Sequence, residues 1–317
     1  MIITKTPTRI SIGGGGTDLP IFYKHYGSTF TSAAIDKYIY IIVQERKFYN
    51  DFLLKYSRTE KVTEVSKIKN EIIRECLRLL NITKYLEIVP ISDIGGETGL
   101  GSSGAFTVGL LSALHTFKGD VVTREQLAEE ACHIAIDILG QPSGKQDEYI
   151  ATFGGLTTFQ IDRQGKVKAL KDEFEENFVR ELERYLYMFH TGIYRKSKTI
   201  LSKTNIKDLV GIQALGVRII RALKDKDSHK FGELLHEHWL LKRKRAKTTN
   251  DKIDKWYSLA RKNGATGGKI MGAGGGGFFL LYCEKNAPKL IDKMEEVGLK
   301  HVPFNIDWQG TRVIANF

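Results

Sequence analysis

The 317-residue sequence predicts an α+β protein built from two lobes. Its length is too great for one ordinary hydrophobic core and too small for three separate domains. In each half of the chain, strand-like segments are followed by helical segments, with few regular alternations of strand, helix and strand. Two lobes of this kind enclose a cleft, and we expect the ligand site there.

The first half of the chain is rich in strands. Apolar residues alternate, or run together at strand length, between turns that contain Gly, Asp or Asn. Helical spacing predicts one helix within "VSKIKNEIIRECLRLLNI" and two more, from Ser103 to about Phe117 and from Arg124 to about Leu139. The predicted strands are "TRISIGG", "STFTSAAI", "YIYIIVQE", "FLLKYS", "LEIVPIS", "GGLTTFQI" and "KVKALK".

A charged stretch from Lys171 to Arg184 marks the predicted seam between the lobes. It divides the chain into an N-terminal lobe, residues 1–175, and a C-terminal lobe, residues 176–317. Beyond the seam we predict a strand in "YLYMFHTG", several helices up to Leu259, a buried strand in "GGFFLLYC" and a closing strand near "VPFNI".

The composition, 42% hydrophobic and 27% charged residues, predicts a soluble globular protein. No apolar run reaches the roughly 18 residues of a membrane span. The N-terminus lacks the pattern of a signal peptide, so we expect a cytoplasmic protein. Three separated cysteines, none in a C-x-x-C pair, predict neither disulfides nor a zinc site. The net charge of +11 is spread along the chain, which favours small phosphorylated anions over nucleic acid as partners.

The segment "GETGLGSSGAF" places several glycines directly before an apolar helix. Glycines let main-chain N–H groups turn toward a ligand, and a helix start adds unpaired donors and the positive end of the dipole, so this loop is suited to phosphate. We expect Ser102 and Ser103 to cap the helix, and a serine hydroxyl there also suits a metal ion that accompanies the phosphates. A purely structural tight turn stays open as the alternative.

Two further glycine-rich segments stand out, and neither fits the P-loop or the dinucleotide-binding pattern. In "IGGGGTDLP", glycine allows close approach to a ligand and Asp18 offers a carboxylate to hydroxyl groups, which indicates polyol binding. A turn capped by Asp18 is the other interpretation. In "MGAGGGGFFLLY", Gly272 to Gly277 precede a buried strand and form a wall of main chain.

A carboxylate for catalysis is found in "GQPSGKQDEY", where Asp147 follows a Pro-Ser-Gly turn. A carboxylate beside a phosphate loop suits phosphoryl transfer, because it orients or deprotonates the acceptor hydroxyl. Arg9 is available to balance its charge. A helix cap is the alternative role of Asp147.

The three segments "GETGLGSSGAF", "SGKQDEY" and "KIMGAGGGGFF" together resemble the GHMP kinases, and the resemblance extends over nearly the whole chain. It implies an ATP- and Mg²⁺-dependent kinase with an N-terminal lobe like a ribosomal-protein-S5 domain and a ferredoxin-like C-terminal lobe. Asp147 and Arg9 would be catalytic and Ser103 would bind the metal. The implied nucleotide-binding residues are Gly99, Leu100, Gly101, Ser102, Ser103 and Gly104. The implied acceptor-binding residues are Gly15, Gly16, Thr17, Asp18, Arg195, Gly274, Gly275 and Gly276.

The sequence departs from the family pattern at several positions. The proline that usually opens the phosphate loop is absent, and Gly104 stands where Ser or Ala is common. The glutamate that helps to hold Mg²⁺ in similar kinases is replaced by Ala135. Asp137 lies about 200° further around an α-helix and does not substitute for it. We therefore predict weaker use of Mg²⁺ than in relatives.

Within the family, segments such as "GKQDEYIATFGGL" and "TGIYRKS" are most similar to heptose 7-phosphate kinases and related sugar 1-kinases. This implies phosphorylation of the anomeric hydroxyl of a sugar phosphate by a monomer or homodimer. Cationic side chains would hold the 7-phosphate; the candidates are Arg195, Lys196 and Lys242 to Arg245. A free hexose or fucose kinase, a mevalonate-type kinase and a catalytically impaired relative stay open.

Overall fold

A computed structural model describes residues 1–171, 173–194, 206–244 and 248–317. Its strands form one eight-stranded and one four-stranded sheet, and helices pack on both, so the predicted α+β class is confirmed. The strands are β1 (Ile2–Gly13), β2 (Ser28–Glu45), β3 (Phe52–Lys55), β4 (Thr59–Val62), β5 (Leu86–Ser92), β6 (Leu156–Ile161), β7 (Val167–Leu170), β8 (Leu186–His190), β9 (Gly267–Ile270), β10 (Phe278–Tyr282), β11 (Lys300–His301) and β12 (Arg312–Asn316).

The α-helices range in length from 7 to 19 residues. They are α1 (Pro20–Tyr26), α2 (Glu71–Leu79), α3 (Ser102–Lys118), α4 (Arg124–Cys132), α5 (Gln146–Phe153), α6 (Glu176–Glu183), α7 (Ile206–Lys224), α8 (Ser228–Arg243), α9 (Asp251–Lys262) and α10 (Ala287–Glu296), with a 3₁₀ turn at Val65–Lys67 and a π-helical segment at His133–Ile138. None of the helices in the described ranges is long and apolar enough to cross a membrane.

The first sheet has the order β12-β1-β2-β5-β3-β4, and β6 and β7 extend from β2. The long strand β2 makes this possible, because its first part pairs with β6 and its last part with β5. Helix α3 packs on β1 and β2 and also contacts α2, α4 and α5. These contacts explain why α3 is apolar around most of its circumference.

The second sheet has the antiparallel order β11-β8-β10-β9. Helix α7 packs against β1 and β2, so the second half of the chain lies on the first sheet. One hydrophobic cluster joins the two parts: Ile10 and Ile12 from β1 pack with Met271 and Leu280. The end of β1 and the end of β9 therefore lie on the same cluster, and the Lys269 ammonium of β9 donates to the Ile12 carbonyl of β1 at 2.9 Å.

The end of the chain differs from the predicted order of strands. A strand lies near "VPFNI" as predicted, but it is the short β11, which ends at His301 directly before this segment. The segment itself makes only an isolated bridge between Ile306 and Ile35. Pro303 has no N–H group for a ladder bond. The final strand is β12, which pairs with β1 in the first sheet. A lobe boundary near residue 175 stays a prediction.

Candidate active site

Helix α3 begins without a capping side chain. Its N-cap residue is Gly101, in the left-handed conformation with φ 75° and ψ 25°, and no side chain among the described residues bonds to the first turn. The prediction that Ser102 and Ser103 cap the helix is wrong, because both already lie inside its first turn. The N–H groups of that turn are left for a ligand, and together with the helix dipole they form a site for an anion.

Arg9 of β1 and Asp147 of α5 form a close ion pair beside this helix start. Arg9 Nε donates to Asp147 Oδ1 at 2.8 Å, and Arg9 Nη2 lies 2.6 Å from the same oxygen. Arg9 Nη1 also donates to the carbonyl oxygen of Gly99 at 2.6 Å. The buried guanidinium thus fixes the carboxylate and the glycine loop relative to each other.

Two glycines of the loop are required by the approach of α5 to α3. A Cβ on Gly101 would lie 3.1 Å from Asp147 Cγ and 3.2 Å from Asp147 Oδ2. A Cβ on Gly104 would lie only 2.7 Å from Asp147 Cβ. The missing side chain at Gly104, where the family commonly has Ser or Ala, therefore lets α5 bring Asp147 to the start of α3.

Asp18 is buried beside the first turn of α5. Its Oδ1 accepts the Gly16 N–H at 2.8 Å, and its Oδ2 accepts the Gln146 N–H at 3.0 Å. Burial, assisted by the charge of Asp147, raises the pKa of Asp18 despite these two hydrogen bonds. Both carboxylate oxygens thus hold the glycine turn to α5, and recognition of an acceptor by Asp18 stays a prediction.

The other residues of the first glycine-rich turn differ in exposure. Thr17 is fully buried, and its hydroxyl bonds to the Gly14 carbonyl and to Ser28. Gly15 and Gly16 are only half-buried and present main chain at the surface. Their predicted contact with the acceptor is therefore a contact through the backbone.

Sequence reasoning missed a hydroxyl–amide cluster next to Asp147. Gln146 Nε2 donates to Ser11 Oγ at 3.1 Å and to Ser32 Oγ at 2.5 Å. Ser11 is two residues after Arg9 in β1. Because alternate residues of a strand lie on the same face, the sequence could have indicated that Ser11 and Arg9 both face α5. No comparable signal pointed to Gln146, because its partners come from distant strands.

The third glycine-rich segment packs against the phosphate loop, main chain to main chain. A Cβ on Gly272 would lie 2.7 Å from Gly99 Cα. Gly274 lies against Thr248, the Gly275 N–H donates to the Thr248 carbonyl at 2.7 Å, and Gly276 lies against Ile193. The segment is thus a packed wall of the site, and its contact with an acceptor stays a prediction.

Two models of one protein family match the chain around these residues. The model of the GHMP kinases N terminal domain matches residues 66–155, and the model of the GHMP kinases C terminal region matches residues 219–300. Together they span more than half of the chain and include the phosphate loop, Asp147 and the third glycine-rich segment. The chain belongs to the GHMP kinases. It is therefore an ATP-dependent phosphotransferase.

Individual relatives differ in the substrates they are named for. This GHMP kinase is 26% identical over 306 residues to the D-glycero-alpha-D-manno-heptose 7-phosphate kinase of Campylobacter jejuni, covering 89% of each chain. It is 27% identical over 266 residues to the mevalonate kinase of Methanothermobacter thermautotrophicus, covering 81% of this chain and 84% of the relative. A solved structure described as a D-glycero-D-manno-heptose 1-phosphate kinase from Bacteroides thetaiotaomicron has the same fold, with a TM-score of 0.84 and 21% identity over 100% of both chains.

Only some of the cationic residues predicted to bind an acceptor phosphate lie within the described part of this GHMP kinase. Arg195, Lys196 and Arg245 lie outside the described residues. Lys242 is buried, and its Nζ donates to the carbonyl oxygens of Ile270 and Gly272 at 2.6 Å each. Lys242 therefore fixes the main chain at the start of the third glycine-rich segment.

A buried lysine that the sequence interpretation missed lies in the seam. Lys269 is 1% exposed, and its Nζ donates to the Ile12 carbonyl at 2.9 Å, directly before the first glycine-rich turn. Burial and then the charge of Arg9 lower the pKa of Lys269 to about 7. This side chain joins the second sheet to the end of β1.

The helix that carries Ala135 is not a regular α-helix. His133–Ile138 form a π-helical segment, which has a wider turn than an α-helix, so the angle of about 200° expected between Ala135 and Asp137 does not apply. Asp137 is exposed and its Oδ2 lies 2.8 Å from His133 Nδ1. Among the described side chains, no group of three His, Cys, Asp or Glu residues is arranged to hold a metal ion.

Proposed function

We propose that this GHMP kinase transfers the γ-phosphoryl group of ATP to the anomeric hydroxyl of D-glycero-D-manno-heptose 7-phosphate, which gives the 1,7-bisphosphate. The observation that carries the proposal is the Arg9–Asp147 pair, which lies against Gly101 at the uncapped start of α3. An anion on the α3 amides and a hydroxyl group at Asp147 would then be adjacent, as phosphoryl transfer requires.

The two oxygens of Asp147 have different tasks in this mechanism. Oδ1 accepts both bonds from Arg9, whereas Oδ2 faces the position where a Cβ of Gly101 would lie, at 3.2 Å. Oδ2 is thus the oxygen that takes the proton of the acceptor hydroxyl as that hydroxyl attacks phosphorus. Arg9 holds the carboxylate in place and adds positive charge beside the transferred group.

The residues around α3 fit a nucleotide bound with Mg²⁺. The N–H groups of Ser102, Ser103 and Gly104 would hold the phosphates, and the exposed side chain of Ser103 would contribute a metal ligand. The metal would neutralise charge that develops on the phosphates. With alanine at position 135, phosphate oxygens and Ser103 are the main ligands in this proposal. Replacing Ala135 by Glu would then lower the Mg²⁺ concentration that gives half-maximal activity, and identical titration curves would refute the idea.

The acceptor is assigned by similarity to the Campylobacter jejuni heptose 7-phosphate kinase over 89% of both chains. Similarity to a mevalonate kinase at 27% identity makes a mevalonate-type acceptor the second candidate. Both acceptors present a hydroxyl group to the same carboxylate, but only the heptose 7-phosphate carries a phosphate of its own. Arg195 would be one cation for that phosphate.

The decisive experiment is product analysis by phosphorus NMR. The protein, ATP and Mg²⁺ are incubated in parallel with heptose 7-phosphate, mannose, fucose, galactose and mevalonate, and Asp147→Asn is the matched inactive control. We expect a new anomeric phosphate signal with heptose 7-phosphate that exceeds any other product at least tenfold. Turnover of mevalonate alone would replace the proposed acceptor, and equal turnover of one of the unphosphorylated sugars would remove the requirement for the 7-phosphate.

A further inference from the structure

Glu148, the residue after Asp147, has no part in the mechanism above, yet it is buried at the same helix contact. It is 3% exposed in the first turn of α5. A Cβ on Gly104 would lie 3.1 Å from both Cδ and Oε1 of Glu148, so the carboxyl occupies the side of α3 that Gly104 leaves open. Its Oε2 is buried and has no hydrogen-bond partner among the described residues.

The charged surroundings of Glu148 disfavour a second negative charge. Asp147 is its neighbour in α5 and Asp18 lies in the turn after β1, and Arg9 of β1 opposes their effect. Cys132 of α4 is also near, but burial raises the pKa of this thiol well above its usual value, so it carries no charge. On the α3 side the carboxyl lies beside Gly104, which carries no charge. Burial, and then the charge of Asp147, raise the pKa of Glu148 to about 8, and Arg9 offsets this only in part.

We propose that Glu148 is a positioning residue of the nucleotide site, which fills the space beside Gly104 as an uncharged acid. In this form it supports the close contact of α3 and α5 without adding a second carboxylate next to Asp147. The inference rests on the proposed position of the triphosphate at the start of α3. Gly104 and Glu148 form a complementary pair, because any side chain at position 104 would displace the carboxyl.

The charge state of Glu148 has a direct consequence for nucleotide affinity. When Glu148 of α5 ionises at alkaline pH, a buried negative charge appears beside Gly104, in the first turn of the helix α3 whose amides hold the phosphates. That charge repels a triphosphate but has little effect on an uncharged nucleoside. Affinity for ATP should therefore fall as the pH rises, while affinity for adenosine stays constant.

The test compares the native protein with Glu148→Gln, which keeps the size of the side chain and cannot ionise. Dissociation constants for ATP and adenosine are measured by calorimetry at pH 7 and pH 9.5 with constant Mg²⁺. We expect native affinity for ATP to fall roughly fivefold to tenfold between these values, and that of Glu148→Gln to fall less than twofold. An equal fall in both proteins overturns the proposal. The loss of affinity would then come from other groups that lose a proton as the pH rises, such as Lys269.

A matched control is Glu183→Gln. Burial also raises the pKa of Glu183, but its carboxylate accepts the Ile306 N–H at 2.7 Å and lies outside the contact of α3 with α5. This variant should lose affinity for ATP with pH as the native protein does. If it instead loses the pH dependence as Glu148→Gln does, the effect is not specific to the position of Glu148 and the proposal fails.

A replacement variant and a measurement on the native protein alone complete the test of Glu148. Should Glu148→Gln not fold, Glu148→Met replaces it, because its unbranched side chain has a similar length and no charge. In the native protein alone, a ratio of ATP to adenosine affinity that does not change between pH 7 and pH 9.5 also overturns the proposal. None of these measurements uses an acceptor, so a wrong assignment of the acceptor would leave the result on Glu148 intact.

Discussion

The two ends of α3 differ in how their terminal main-chain groups and nearby side chains are hydrogen-bonded. At the N-terminal end, Gly101 precedes the helix in the left-handed conformation, and within the part of the chain that the structure describes no side chain bonds to the first turn. At the C-terminal end, the Gly119 N–H donates to the carbonyls of His115 and Thr116. The buried His115 ring there lies between two carboxylates, 3.1 Å from Asp120 Oδ2 and 2.6 Å from Glu130 Oε2.

The difference separates binding from stability within one element. The C-terminal end of a helix favours positive charge, and here Asp120 and Glu130 bond to the two ring nitrogens of His115 and favour its protonated form. The N-terminal end keeps its donors for a ligand, and nearby charges belong to Arg9 and Asp147, which bond to each other. Substitutions at the first end should therefore change activity, and those at the second end should change the free energy of unfolding.

The largest effect is expected for Asp147→Asn. The amide keeps the size of the side chain and can still accept from Arg9, but it cannot take a proton from the acceptor. The turnover number should fall about 10²- to 10⁴-fold. Activity is measured with saturating ATP and acceptor, and urea unfolding serves as the control for folding. A loss of less than tenfold would mean that Asp147 is not the proton acceptor.

The sequence allowed prediction of those site features that depend on local chemistry. The glycine loop of residues 99–104 was singled out because glycines before an apolar helix favour an anion site, and phosphate binding there stays a prediction. Arg9 and Asp147 could be matched by charge although they are 138 residues apart. The capping role of Ser102 could not be judged, because it depends on whether the preceding glycine is extended or left-handed.

Features that depend on packing between distant segments were missed. The burial of Glu148 and the contacts of Gln146 arise only when α5 packs on α3 and β1. Lys269 gave no signal, because a lysine in a short strand is usually exposed. The position of β12 beside β1 joins the two ends of the chain, and no local pattern specifies such a pairing.

The second largest effect is expected at the C-terminal end of α3, where a substitution of His115 should lower the stability of the fold. Burial lowers the pKa of His115, but hydrogen bonds to Glu130 and Asp120 outweigh it, so the pKa is raised above its usual value. A raised pKa stabilises the folded state fully below the unfolded pKa of about 6.5, and this stabilisation is lost as the pH rises through the folded value. We expect His115→Asn to lower the free energy of unfolding at pH 6 by about 2–4 kcal/mol.

Urea unfolding of the native protein and His115→Asn at pH 6 and pH 9 tests this expectation. The difference between the two proteins should be smaller at pH 9 than at pH 6, because the native imidazole loses its charge as the pH rises through its raised pKa. The turnover number of folded His115→Asn should stay within twofold of native, because the substitution lies at the far end of α3. A difference in stability that grows with pH would contradict the assigned charge state.

The smallest effects come from a matched pair of glycines. Gly101 and Gly119 flank the same helix with φ 75° and 78°. Alanine at either position must adopt a left-handed conformation, which costs roughly 1–2 kcal/mol of stability. A Cβ at Gly119 would have no atom within 4 Å, whereas at Gly101 it would lie 3.1 Å from Asp147 Cγ and 3.2 Å from Arg9 Cγ.

The two alanine variants should therefore lose similar stability and differ in activity. In Gly101→Ala the ion pair must move by a few tenths of an ångström, which displaces Asp147 Oδ2 and should lower the turnover number about tenfold. Gly119→Ala should retain native turnover. Because the backbone cost is common to both, the difference in turnover measures the contact between the helix start and the Arg9–Asp147 pair. Equal turnover in the two variants would show that the start of α3 tolerates movement of the carboxylate, and that its exact position is not what the glycine protects.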